Sequence, residues 1–167
     1  VTKGAFFHHF PSKAELGTAL VDRYARADLA TLDALWDQAD RLAREPLQRV
    51  LVFLGLFADA LDADPGDNPG CLYVSFLYER QLGGGDAHDI IEAAVLTWRR
   101  RLRERLDEVA ERYPPRLPVD LDAVADLVFS TNEGAYVLAR ATGRPHALRD
   151  QVLQVRNYVE LLFSPTP

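Results

Sequence analysis

Apolar residues recur along this chain at steps of three and four, the period of an α-helix, and nowhere do they alternate with polar ones over the length of a strand. Thr2 can cap a short helix that ends near His9, where Pro11 breaks it. Ser12, Lys13, Ala14 and Glu15 then form a capping box, in which serine and glutamate each satisfy a backbone N–H left free at the helix start. The helix it opens carries Leu16, Leu20, Tyr24, Ala27, Leu32, Leu35, Trp36 and Leu42, so it runs to about Leu42. Pro46 suits the first position of another helix, through Leu51, Leu54, Phe57 and Leu61. Residues 62–70 (DADPGDNPG) are loop by composition. A helix over 71–81 stops at Gly83, Gly84 and Gly85, and Asp86 caps a long one that reaches Tyr113. The run PPRLP then forbids helix until Asp120. Two last helices follow, over 120–142 and 145–163, parted by Gly143 and Pro145. The expected fold class is all-α.

The sharpest periodicity lies in those last two helices. Leu121, Val124, Val128, Thr131, Ala135, Leu138 and Thr142 form one seam, and Leu148, Val152, Val155, Val159 and Leu162 form the other. Thr131, Gly134 and Ala135 are small enough to let a partner backbone approach. Leu127, Phe129, Tyr136, Leu153, Tyr158 and Leu161 are apolar off the seam, and a single hairpin cannot bury two faces. One face is therefore expected to meet the body of the chain and the other a second copy, giving a homodimeric four-helix bundle. The seam positions Val124, Val128, Thr131, Ala135, Leu138, Leu148, Val152, Val155, Val159 and Leu162 are the candidate dimer interface. The alternative is that both faces are core within one chain.

Charge changes the picture at one end. The chain of 167 residues has a formal charge of −6, but residues 1–13 hold two of its 19 lysines and arginines and none of its 25 carboxylates. The rest, with 17 basic and 25 acidic side chains, stands at −8, so any nucleic acid must be met by the opening turn alone. A single cysteine excludes a disulfide framework within the chain and fits a cytoplasmic protein. No run approaches the ~20 apolar residues of a membrane span, and the given residues carry no signal-peptide pattern before the first helix. The chain begins at a helix start without methionine, so further residues are expected upstream.

In the opening turn, Gly4 and Ala5 let a helix end come close to base edges in a major groove. Phe6 and Phe10, four apart, share a face that plugs the head's own core. Lys3, Phe7 and His9 point elsewhere, toward bases, with Phe7 able to touch a thymine methyl. Lys13, at the N-terminus of the next helix, is placed for phosphate. An aromatic plug alone explains Phe6 and Phe10, but neither the missing carboxylates nor the Gly-Ala tip.

The stretch TKGAFFHHFPSKAEL resembles the second helix of the helix-turn-helix and the start of the following helix in the tetracycline-repressor (TetR) family. The resemblance is carried by Thr2, Lys3, Gly4, Phe6, His9, Phe10, Ser12, Lys13 and Leu16. Phe7 stands where that family usually has tyrosine, which removes a hydrogen-bond donor. The motif covers about a tenth of the chain. Gly70-Cys71-Leu72 opening a helix and the segment NEGAYVLARA agree in kind. The resemblance implies a DNA head in which Thr2 and His8 contact backbone while Lys3, Gly4, Ala5, Phe7 and His9 face bases. It also implies two further helices before the motif, operator DNA as a partner, and a body enclosing an effector that changes the spacing of two heads. Residues 1–25 would be the remnant of the head and 26–167 the ligand-binding and dimerisation domain.

For the effector, Phe57, Tyr73, Phe76, Trp98, Asn132, Glu133 and Tyr136 are the candidate contacts: aromatic walls with few polar groups suit a small, mostly apolar molecule. Asn132 and Glu133 interrupt an otherwise apolar helix and need solvent or a partner, and Glu133 is the expected polar contact. The helix from Ser12 is expected to bring Leu32, Leu35 and Trp36 near this pocket. Cys71 at a helix start is a candidate reactive thiol or an inert buried one. His88 and Glu92, four apart, are too few ligands for a metal, and none is expected. Arg99, Arg100, Arg101, Arg103 and Arg105, interleaved with acids as in Glu108–Arg112, read as a solvated face. No nucleophile elbow, HExxH, phosphate-binding Gly-Lys loop or paired-cysteine site is present, so neither enzyme nor cofactor is expected. The alternatives are a helical interaction module or a small helical enzyme.

Overall fold

The computed structural model of the chain describes residues 10–62, 70–79 and 85–164. These form six helices: α1 Lys13–Leu42, α2 Pro46–Asp62, α3 Leu72–Tyr78, α4 Gly85–Arg112, α5 Leu121–Thr142 and α6 Ala147–Phe163. Thr2, Lys3, Gly4, Ala5, Phe7, His8 and His9 lie outside the described residues.

The serine half of the capping box forms: the Ser12 hydroxyl accepts from the Glu15 backbone N–H at 3.1 Å and fixes the start of α1, while the Glu15 carboxylate accepts from that hydroxyl at 3.5 Å. The helix then runs 30 residues without a break, across the expected domain boundary at residue 25. Pro46 ends the short connection that follows and occupies the first position of α2. Asp120 caps α5 by accepting from the Asp122 N–H at 2.9 Å, and Gly143 closes it in the left-handed conformation (φ 65°) that glycine adopts without a Cβ clash. Three helices differ from expectation at their ends. α3 begins after Cys71 and stops at Tyr78, Asp86 sits within the first turn of α4, and α6 begins two residues after Pro145.

α1 packs on α2 and α4, α4 on α5, and α6 lies against both α2 and α5. The larger core joins Leu32, Trp36, Phe53, Leu54, Leu102 and Val128 to Val155, Val159 and Leu162. Phe53 is fully buried and stacks on Trp36 with ring centroids 3.8 Å apart and planes 2° from parallel. A smaller cluster gathers Val21, Ala25, Cys71, Tyr73, Ala87, Ile91 and Ala94.

The seams of the last two helices turn inward. Val124, Val128, Ala135, Leu148, Val152, Val155, Val159 and Leu162 are all buried within the chain, at 5% exposure or less. Thr131 and Leu138 are half-buried. Of the ten positions expected at a dimer face, eight are thus packed against the chain's own body, and Thr131 and Leu138 keep part of their surface. The 3–4 period marks the side that meets α2 and α4, and a side chain with no exposed area has none to offer a second copy. The apolar residues left outside are Val137, 69% exposed, and Leu161, 66% exposed.

The arginine run is also more structural than a solvated face. Arg99 holds Asp126 of α5 by two hydrogen bonds of 2.6 Å, Arg103 reaches Asp122, Arg101 pairs with Asp33 of α1, and Arg105 pairs with Asp40 at 2.8 Å. Glu108 meets Arg49 of α2 as well as Arg105 one turn back, and Arg112 meets Glu45 in the connection before α2, so the expected Glu108–Arg112 pairing gives way to partners elsewhere in the chain. Arg105 also covers the Trp36 ring, 5.1 Å from its centroid. α4 is thereby stitched to α1 and α5.

A candidate effector cavity

Where the two clusters meet, packing is incomplete and leaves a cavity of about 300 Å³. α1 presents Tyr24, Ala27, Asp28 and Thr31 to it, a 3–4 stripe on one face of the helix. Phe57, Ala60 and Leu61 come from α2, Tyr73 from α3, and Trp98 from α4. Val128, Phe129, Asn132, Glu133 and Tyr136 come from α5, and Cys71 stands just before α3.

Of the expected contacts, Phe57, Tyr73, Trp98, Asn132, Glu133 and Tyr136 come together on this cavity. Phe76 does not. It packs, half-buried, on the smaller cluster to which Tyr73 also belongs. On α1 the cavity is met by residues 24–31, earlier than expected; Leu32, Leu35 and Trp36 belong to the larger core.

Sequence reasoning missed Asp28. Its Oδ2 accepts from the Tyr73 hydroxyl at 3.1 Å and from Trp98 Nε1 at 2.8 Å, so one carboxylate orients two aromatic walls from two other helices. Burial pushes its pKa up, and the two hydrogen bonds offset part of that. A signal was available: Asp28 interrupts the row Val21, Ala25, Leu32, Trp36, Ala39, all buried on the same face of α1. Tyr24 and Tyr73 meet edge to face at 4.9 Å, and burial raises the pKa of both phenols.

Glu133 and Asn132 occupy the α5 wall with an oxygen each, Oε1 and Oδ1, buried without a hydrogen-bond partner. Burial raises the Glu133 pKa, hydrogen bonding from Cys71 and Asn132 lowers it in part, and the Asp28 charge raises it. An unpartnered buried acceptor costs on the order of 1–3 kcal/mol, so these oxygens mark a place where a donor would be stabilising. Cys71 is buried, and its thiol is pushed up to about 12, first by burial and then by the neighbouring Glu133 charge. That environment opposes thiolate formation and favours the inert, buried alternative for Cys71. Among the described residues no cluster of three potential ligands could hold a metal ion, and no helix is long and apolar enough to cross a membrane.

Comparison with known proteins places this architecture. Residues 46–155 match the tetracyclin repressor-like C-terminal domain. The chain is similar to the transcriptional regulator AcuR of Cereibacter sphaeroides, with 28% identity over 148 residues, which span 89% of this chain and 66% of that regulator. The fold is close to that of the regulatory protein TetR from Rhodobacter sphaeroides, with 25% identity, a TM-score of 0.73, and coverage of 95% of this chain and 82% of that one. It also superposes on a TetR-family regulator from Agrobacterium tumefaciens with a TM-score of 0.75 at 21% identity, covering 98% of this chain and 82% of that one. The domain match extends over most of the described body and includes the α2, α4 and α5 walls of the cavity, and on that basis the chain belongs to the tetracycline-repressor-like family of transcriptional regulators.

Proposed function

We propose that the chain is the sensing and dimerising part of a ligand-responsive transcriptional regulator, a repressor whose operator is released when a small effector occupies the cavity. One observation carries this reading. The cavity is walled by α1, and the same unbroken helix begins at Lys13, directly after the segment that resembles a DNA-recognition helix. A ligand that tilts α1 by a small angle at residues 24–31 displaces whatever is attached at its start. A two-fold operator tolerates little change in head spacing.

The second copy docks on the outer side of the last two helices. Ser130, Gly134, Val137 and Ala141 form an exposed row on α5, and Gln154, Asn157 and Leu161 form another on α6. These rows, and not the buried seams, are the dimer face in this reading. The protein acts in the cytoplasm and performs no catalysis: the family members it resembles are regulators, and the unpartnered oxygens of Asn132 and Glu133 are acceptors suited to holding a ligand.

DNA contact is tested in the gene product that carries this chain, with a duplex selected from random sequence. Lys13 is exposed at the head of α1, where it and the free N–H groups of the first turn attract phosphate. Lys13→Ala is expected to weaken binding to all sequences and to flatten the salt dependence by about one phosphate contact. His9→Ala should instead change which sequences are preferred. If both variants bind like the parent protein in gel shifts across salt, the opening turn is not a DNA reader.

A further inference from the structure

The charge of the cavity selects among effectors. Asp28 on α1 and Glu133 on α5 both face it, and the Asp28 charge raises the Glu133 pKa. Among the described residues no lysine, arginine or histidine lines it. An anionic ligand would meet two carboxylates without a counter-charge. A neutral apolar ligand would leave Glu133 Oε1 and Asn132 Oδ1, both already buried, without a partner. A ligand with N–H donors and positive charge satisfies both oxygens. It also favours the ionised form of two carboxyl groups that burial otherwise pushes toward protonation. The walls suit the same ligand: the rings of Tyr24, Tyr73 and Trp98 border the space, and aromatic faces attract a cation while covering its apolar body.

We propose that the effector is an organic cation, a protonated primary or secondary amine carried on a compact apolar or aromatic body. This rests on the effector-cavity reading above and specifies its chemistry. The ammonium sits between Glu133 Oε1 and Asn132 Oδ1, with Asp28 as the second counter-charge across the cavity. The apolar body lies against Phe57, Trp98 and Phe129.

Three compounds with one apolar body and different heads test this: 4-phenylbutylamine, 4-phenyl-1-butanol and 4-phenylbutanoate. Each is titrated into the 167-residue chain and followed by calorimetry and by the fluorescence of Trp98. The amine is expected to bind at least about tenfold more tightly than the alcohol, and the carboxylate more weakly than both, because charge-assisted hydrogen bonds are roughly twice as strong as neutral ones. Glu133→Gln, which keeps the shape and removes the charge, should weaken the amine by at least about fivefold and leave the alcohol within about twofold. An alcohol or carboxylate that binds as tightly as the amine overturns the cation while leaving the cavity as an effector site. An amine unaffected by Glu133→Gln overturns the placement of its charge. Failure of all three at millimolar concentration overturns both the cation and the cavity. An amine that binds as expected but leaves operator affinity unchanged supports the cation and refutes the regulatory reading.

Discussion

Val155→Asp should unfold the chain, while Val137→Asp should leave its fold intact and weaken only its self-association. Val155 lies in the larger core at 4% exposure, and a carboxylate there has no basic partner and no water. Placing an unpaired charge in such a site costs on the order of 4 kcal/mol, comparable with the whole stability of many domains. Val137, at 69% exposure, can keep a charged group hydrated in the isolated chain. It loses that water only if a second copy covers it. Circular dichroism with sedimentation separates the two effects: loss of helix for Val155→Asp, and a helical protein shifted from dimer to monomer for Val137→Asp. A folded Val155→Asp monomer would restore the seams as the dimer face. A Val137→Asp protein that remains fully dimeric would move the interface away from the outer rows.

Phe53→Ala should cost about 3–5 kcal/mol, the range for removing a large aromatic from a core that cannot collapse around the space. Phe53 has no exposed surface and lies at the centre of an aromatic chain. Trp36 stacks on it at 3.8 Å, Phe57 follows at 6.2 Å and Trp98 at 6.4 Å, and Phe57 meets Trp98 at 5.3 Å. This chain joins α1 to α2 and α4 and ends in two walls of the cavity, so the substitution also loosens the cavity's inner side. Urea unfolding followed by tryptophan fluorescence should place the midpoint of the variant well below that of the parent. A loss under about 1 kcal/mol would mean that the Trp36 and Trp98 rings close the gap and that the stack contributes little.

The helical order was legible because its signals are local. Ser12 and Glu15 define the start of α1, Pro46 that of α2, and Gly143 the end of α5, each through backbone groups within a few residues. What a helix packs against is not local. The row Val152, Val155, Val159, Leu162 declares that one side of α6 is buried, and the same row would arise against α2 or against another copy. In the folded chain that side of α6 packs on α2 and α5, which no local pattern announces. The cavity was legible in part for a related reason. Asn132 and Glu133 stand out as polar residues in an apolar stretch, and a buried polar group needs a partner. Asp28 carries the same mark, but its neighbours Arg26 and Asp33 make that part of α1 read as an ordinary charged surface. Its role depends on Tyr73 and Trp98, 45 and 70 residues away, which no local pattern joins to it.

The central claim is that the cavity and the DNA head share one equilibrium through α1. Coupling of this kind is typically worth roughly 1–3 kcal/mol, about five- to 150-fold in affinity, and it must act equally in both directions. The decisive measurement is a titration of the gene product that carries this chain with whichever phenylbutyl compound occupies the cavity, read by tryptophan fluorescence, with and without a saturating selected operator. Within this chain Trp98 lines the cavity while Trp36 is held under Arg105 in the larger core, so occupancy is read in the Trp98 signal. The account predicts that the operator weakens the compound by at least about fivefold, and that the compound weakens the operator by the same factor. Equal affinities with and without operator would contradict it, and would leave the helical body as a dimerisation scaffold with a pocket that does not speak to DNA.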